Sequence, residues 1–184
     1  MRSSAPGRFI ERPSGVALRV QPARSAADIE EALALIRDYA ASLPVDLAFQ
    51  GFDAELAELP GKYAPPQGEL LLARGGDDAA LGCVALRPLE SSGICEMKRL
   101  YVRPGARGLG AGRALLAAII AAAEQRVYAE MRLDSLPTMS EATALYRRFG
   151  FVEIPAYCYN PVPGTIYLAK RLSCESVAPA PSPD

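Results

Sequence analysis

Six consecutive residues, Arg107-Gly108-Leu109-Gly110-Ala111-Gly112, have the types and spacing of an anion site. They follow Ile94 to Val102, which reads as a β-strand, and precede Arg113-Ala-Leu-Leu-Ala-Ala-Ile-Ile, which reads as the start of a buried helix. Glycines let such a turn visit positive φ and let a ligand come close to the backbone. The unpaired N–H groups of a helix's first turn point at the ligand, and the helix dipole favours negative charge there. Arg107 adds a planar, permanently charged fork suited to phosphate. The turn therefore predicts a phosphorylated ligand, with Arg113 and Arg103 flanking it as further candidate contacts.

The spacing narrows the ligand. A phosphate loop of the Gly-x-x-x-x-Gly-Lys-[Ser/Thr] type is absent. A dinucleotide fingerprint needs Gly-x-Gly-x-x-Gly directly after the strand. Here the third glycine comes one position too early, and five residues separate Val102 from Gly108. Composition excludes more. The 184 residues suffice for one domain with a substantial core. A net charge of −1 gives no overall basic field for nucleic acid. The chain has no histidine, which removes Cys-His and Ser-His catalysis and histidine-containing metal sites; no metal is expected. Four cysteines without C-x-x-C spacing read as reduced thiols of a cytoplasmic protein. No signal peptide is evident, and the longest apolar run, Ala114 to Ala123, is too short to span a bilayer.

Several elements must position the turn. Residues 1–14 and 173–184 read as unstructured, leaving a domain over 15–172. Val16 to Gln21 alternates as a first strand. Ser25 and Asp28 form a capping-box start for a helix over Ile29 to Leu43. Phe52 to Leu59 reads as a short helix. Leu70 to Arg74 and Ala80 to Leu89 form a hairpin about Gly75-Gly76-Asp77-Asp78. A long helix over Leu109 to Arg126 has Leu109, Leu116, Ile120, Ala123 and Val127 at three- and four-residue steps. Ala129 to Leu133 is a strand. Thr138 to Glu141 caps a helix through Phe149, and Gly150 ends it. Phe151 to Ile154 and Ile166 to Leu172 are the last strands. The order predicts an α/β (α+β) domain around a mixed sheet.

Arg107, Gly110 and Gly112 fit Arg-x-x-Gly-x-Gly, which resembles the coenzyme A pyrophosphate loop of the GNAT superfamily of N-acetyltransferases. The run Ala142-Thr-Ala-Leu145-Tyr146-Arg147-Arg148-Phe149-Gly150-Phe151 resembles the Ala-x-x-Leu-Tyr-x-x-x-Gly-Phe signature that closes those domains. The resemblance covers about Val16 to Leu172. It implies a strongly twisted mixed sheet in which two parallel neighbouring strands splay apart, and acetyl-CoA as co-substrate. Leu100, Tyr101 and Val102 would offer backbone to the pantetheine arm. Arg107, Gly108, Leu109, Gly110, Ala111, Gly112 and Arg113 would hold the pyrophosphate. Many relatives carry asparagine seven residues before the signature tyrosine; here that position is Met139.

Acetyl transfer to an amine requires removal of a proton from an ammonium of pKa about 10, polarisation of the thioester carbonyl and a proton for the leaving thiolate. Glu96 is the candidate base. A period of two places it on one face with Lys98, Leu100 and Val102; the alternative is a carboxylate ion-paired to Lys98 or Arg99. Tyr146 is the candidate acid, as the signature tyrosine is in several relatives. It flanks an expected buried stripe of Ala142, Leu145 and Phe149. Cys95 should point away from Glu96, into the core. Two irregular regions, Leu43 to Pro66 and Ile154 to Thr165, would sit over the cleft and set acceptor choice. Their mix of aromatic and uncharged polar groups suits a small amine or amino acid. A protein lysine or N-terminal acetyltransferase and a non-catalytic acyl-CoA sensor are the alternatives. The oligomeric state stays open, a homodimer included.

Overall fold

The computed structural model describes residues 9–10 and 18–173. Most of the two terminal segments, and Val16 of the expected first strand, lie outside these residues. The strands are β1 (Phe9–Ile10), β2 (Leu18–Pro22), β3 (Glu69–Arg74), β4 (Ala80–Pro88), β5 (Ile94–Val102), β6 (Glu130–Ser135), β7 (Val152–Glu153) and β8 (Ile166–Arg171). The helices are α1 (Ala26–Ala41), α2 (Phe52–Ala57), α3 (Ala111–Gln125) and α4 (Ser140–Arg148). One mixed sheet runs β1-β2-β3-β4-β5-β6-β8-β7. Among the described residues only β5 and β6 are parallel neighbours; the other pairs are antiparallel.

Local chemistry explains most boundaries. Ser25 Oγ accepts from the Asp28 N–H at 3.1 Å, and the Asp28 carboxylate accepts from the Ser25 N–H at 3.0 Å. The expected capping box therefore starts α1. Its counterpart at Thr138 does not form, because α4 begins one residue late, with Met139 at the cap position and no side-chain bond. The stripe expected along α3 shifts at both ends. Leu109 precedes the helix and Val127 follows it, both exposed, while Ala111, Leu115, Leu116, Ile119 and Ala123 are buried.

The sheet carries a core on each face. Leu71, Ala73, Val84, Leu86, Cys95 and Met97 pack with α3, Tyr146 and Phe151. Leu70, Leu72, Cys83, Ala85 and Tyr101 pack on the other face with α1 and Tyr63. β3 is thus buried on both sides, and its two charged ends are paired: Glu69 with Arg24 and Arg126, Arg74 with Asp28 and Glu31. The sheet approaches its neighbours closely at Gly82, where a Cβ would stand 2.4 Å from the Tyr101 carbonyl oxygen.

Two features shape the centre of the sheet. First, β5 and β6 pair only from Ile94–Glu130 to Glu96–Arg132, and β6 then stays with β8 as far as Ser135. The backbone of β5 beyond Glu96 has no strand on that side among the described residues. The expected splay of two parallel strands is present. Second, β5 carries a bulge. Lys98 faces Ala85 and Tyr101 faces Cys83, so Arg99 and Leu100 together oppose Val84. Arg99 takes φ +59°, a left-handed conformation uncommon for a side-chain-bearing residue. The bulge reverses the alternation of the strand. Leu100 and Val102 share the α3 face with Cys95 and Met97, while Glu96 lies on the opposite face. The expectation that Glu96, Lys98, Leu100 and Val102 share a face is therefore incorrect, because period two holds only within an unbroken ladder.

Candidate active site

The splay opens into a cleft of about 1130 Å³. β5 forms one wall and Leu133 and Asp134 of β6 the other; the glycine loop and α4 close the α3 side, and Tyr39, Leu43 and Phe49 the α1 side. Of the residues singled out from the sequence, Leu100, Tyr101, Val102, Arg107, Gly108, Gly110, Ala111, Gly112, Arg113 and Tyr146 line it. Leu109 and Glu96 do not. Leu109 turns outward at the edge of the loop, and Glu96 is walled in behind Lys98 at 1% exposure.

The loop has the geometry its composition predicts. After a single 3₁₀ turn at Pro104–Ala106, Gly108 takes φ +80° and Gly110 φ +88°. Gly110 is the cap residue of α3 and has no side chain to bond the first-turn N–H groups. Those donors are left for an anion. Arg107 is exposed, with its Nε 3.4 Å from the Val102 carbonyl oxygen. Arg103 instead pairs with Asp38 at 3.6 Å and does not line the cleft.

A network of charges lies at the other end. The Glu96 carboxylate accepts from Arg87 Nε at 2.7 Å and from the Tyr157 hydroxyl at 2.7 Å, and Lys98 Nζ lies 3.5 Å away. The partners are Arg87 and Lys98; Arg99 instead holds Glu55 through two bonds of 2.8 Å. Lys98 Nζ also donates to Asp134 at 2.9 Å, and the Asn160 amide donates to the same carboxylate at 2.8 Å. The Lys98–Asp134 pair thus spans the two strands just past their last backbone pairing. Burial would raise the Asp134 carboxyl, but Lys98 and Asn160 outweigh it, so its pKa is lowered and it stays ionised. Oxygen and sulfur atoms of Glu96, Asp134 and Cys158 come within 4.8 Å of one another. The Lys98 ammonium already supplies positive charge between the two carboxylates. Burial, with the neighbouring Asp134 adding to it, pushes the Cys158 thiol up to about 11.

Tyr146 is 7% exposed, its ring centre 5.9 Å from that of Phe151. It sits in the buried face of α4 itself, with Thr143. The expected stripe of Ala142, Leu145 and Phe149 is only partly buried, and its Ala142 and Leu145 line the cleft. Burial, then Tyr39 and Asp134, raise the Tyr146 pKa, so the phenol keeps its proton at neutral pH.

Residues 66–153 match the family model of the acetyltransferase (GNAT) domain. An uncharacterised N-acetyltransferase of Schizosaccharomyces pombe is 43% identical over 146 residues, which cover 79% of this chain and 90% of that protein. The chain belongs to the GNAT superfamily. A GNAT-family acetyltransferase from Staphylococcus aureus superposes with a TM-score of 0.71 at 20% identity, covering 85% of this chain and all of that one. The aminoglycoside N(6′)-acetyltransferase type 1 of Stenotrophomonas maltophilia is 32% identical over 118 residues, 60% of this chain and 77% of that protein.

In this GNAT chain Met139 lines the cleft with Thr138 and Ser140 at the start of α4. Sequence reasoning missed Asp134 as a cleft residue and gave Asn160 no partner. A signal existed: Glu130, Arg132 and Asp134 alternate along a central strand, which marks a polar face inside the protein. Arg87 carried no such mark, because only the pairing of β4 with β5 sets it opposite Glu96.

Proposed function

We propose that this GNAT acetyltransferase moves an acetyl group from acetyl-CoA to the primary amine of a small molecule or amino acid by direct transfer. One observation carries the choice of a small acceptor. The two irregular regions meet over the cleft: Phe49 and Tyr159 stand edge to face with centroids 6.5 Å apart. An extended polypeptide needs an open groove, and a bridge between the two regions beside Phe49 of the cleft wall favours a compact acceptor. The relative named as an aminoglycoside acetyltransferase supports the same reading.

The residues present suit coenzyme A. The glycine cradle, Arg107 and Arg113 would hold its pyrophosphate, and the unpaired edge of β5 near Leu100 to Val102 would hold its arm. Bound there, acetyl-CoA supplies an activated acyl carbon. Tyr146 keeps a proton in place for the sulfur that departs as the new C–N bond forms. Glu96 takes the proton lost by the attacking amine, with the Tyr157 hydroxyl, 2.7 Å from its Oε1, as the relay that reaches it. Lys98 and Asp134 fix the width of the split between the strands.

Two measurements test this. Thiol release from acetyl-CoA, assayed against amines, amino acids and peptides, should be rapid with small amines or amino acids and negligible with peptides. Turnover of peptides alone would assign the chain to protein acetylation. The second is a pH–rate profile for Glu96→Gln. Loss of the buried charge leaves Arg87 without its carboxylate while Lys98 keeps Asp134, so a lower melting temperature is expected. The kinetic defect should nevertheless shrink as pH approaches the amine's own pKa of about 10, where free amine needs no base. A defect of constant size at every pH would leave Glu96 a structural ion partner.

A further inference from the structure

We infer that the small cavity behind α2 seats a carboxylate carried by the acceptor, so that the preferred substrate is an amino acid or a comparably short amino carboxylate. The inference rests on the acetyltransferase reading above and names its substrate class.

The cavity has a volume of about 230 Å³ and lies under α2 and the turn that follows it, with Gln50, Tyr63 and Arg87 in its wall. Gln50 also lines the main cleft, so it marks the passage between the two. The cavity has a particular set of unused polar groups. The Tyr63 hydroxyl belongs to a residue only 2% exposed and has no hydrogen-bond partner. Glu55 neighbours it, with each carboxylate oxygen accepting one bond from Arg99. The Gln50 Oε1 atom is likewise buried and unpartnered. Arg87 grips Glu96 with Nε and Nη2, and its Nη1 makes no hydrogen bond among the described residues. Buried polar groups are nearly always paired, so two such groups, Tyr63 and Gln50, beside the part-exposed Arg87 guanidinium in one cavity wall call for an explanation.

Their chemistry defines the missing partner. Tyr63 and Arg87 can each donate, and Gln50 Oε1 can only accept. A carboxylate answers the two donors. An N–H close to that carboxylate answers the acceptor at the passage, and places the amine toward the thioester end of the cleft. An α-amino acid has this order of groups within a few bonds. Charge agrees. Glu96 and Asp134 are balanced by Arg87 and Lys98, Glu55 is balanced by Arg99, and Glu58 and Lys62 oppose each other at the exposed rim. A zwitterion adds no net charge to these surroundings, whereas a simple amine adds one. The volume admits a carboxylate with a short side chain and excludes drug-sized acceptors.

The experiment compares matched acceptors: free amino acids, their methyl esters and their decarboxylated amines, by thiol release and by calorimetry without acetyl-CoA. The free amino acid should exceed its amine in kcat/KM by at least about tenfold, since a site that hydrogen-bonds a group discriminates against the analogue lacking it. Tyr63→Phe removes one donor and leaves the ring in place. It should reduce that preference several-fold, through KM rather than kcat. Gln50→Leu, in a turn outside the main helices and strands, should do the same if Tyr63→Phe fails to fold. Equal turnover of amino acid and amine by the wild type would overturn the inference while leaving the acetyltransferase intact. Calorimetric binding of amino acids, weakened in the variants but without thiol release, would support the cavity and remove the proposed reaction. Amino acids that neither bind nor react would overturn the inference outright.

Discussion

Tyr146→Phe is expected to lower kcat by about 10²-fold, the ordinary cost of losing a general acid. The KM for acetyl-CoA should change far less, because the hydroxyl matters when the thiolate leaves and not when the donor binds. The fold should tolerate the change. The phenylalanine keeps the ring contact with Phe151, and the hydroxyl makes no hydrogen bond among the described residues. An unchanged melting temperature beside the lost rate would separate chemistry from packing. The sign of the pKa shift adds a second check. Burial holds the phenol above its ordinary value, so it stays protonated over the whole range from pH 6 to 9. The wild-type profile should show no loss of proton donation in that range. If single-turnover rates of wild type and variant coincide, Tyr146 is a packing residue. Tyr39, another phenol of the cleft beside Tyr101, raised to about 12 chiefly by burial, then becomes the donor to test.

Gly112→Val should abolish acetyl-CoA binding more completely than any change of charge at the loop. The position lies in the first turn of α3, and only Gly108 and Gly110 of this loop have positive φ. A Cβ built at residue 112 meets Val102 Cγ2 at 3.7 Å and Leu145 Cδ2 at 4.0 Å, both ordinary contacts. A Cβ is therefore accommodated, and the two methyl groups of valine would extend from it into the space between β5 and α4 that the proposed coenzyme site uses. Denying the pyrophosphate two charge-assisted hydrogen bonds, at roughly 1.5–3 kcal/mol each, corresponds to a roughly 10²–10⁴-fold weaker Kd. Calorimetry with acetyl-CoA is the measurement, with circular dichroism to verify the fold. Wild-type affinity would place the coenzyme elsewhere.

What the sequence disclosed follows from the range of the interactions involved. The glycine loop and the Ser25–Asp28 box are set by neighbours a few positions away, and both stand where their residues imply. The splay of β5 from β6 came from family resemblance rather than from any local pattern. The bulge at Arg99 was not legible. Cys95 to Val102 contains no glycine or proline and reads as one continuous strand. What holds Arg99 at positive φ is distant: two bonds to Glu55, the Phe52 ring 5.0 Å below its guanidinium, and the Cys83 thiol on its carbonyl oxygen at 3.4 Å. The surroundings of Glu96 were hidden for the same reason, since Arg87 and Tyr157 reach it from other strands and loops. The displaced start of α4 shows the converse: a good local signal at Thr138 loses to the placement of Tyr146 and Thr143 in the core.

The left-handed residue in the middle of β5 has a consequence for how this enzyme can change over time. It divides one strand into two segments of opposite parity. Upstream, residues 94–98 turn Glu96 and Lys98 to the α1 face; downstream, residues 100–102 turn Leu100 and Val102 to the α3 face and line the cleft. Mutations in the first segment can retune which molecule is acetylated without disturbing the grip on the acyl donor. Mutations in the second can do the reverse. Under the proposed function, drift in acceptor choice is thereby uncoupled from the coenzyme grip. An insertion or deletion that removed the offset at Arg99 would forfeit both at once.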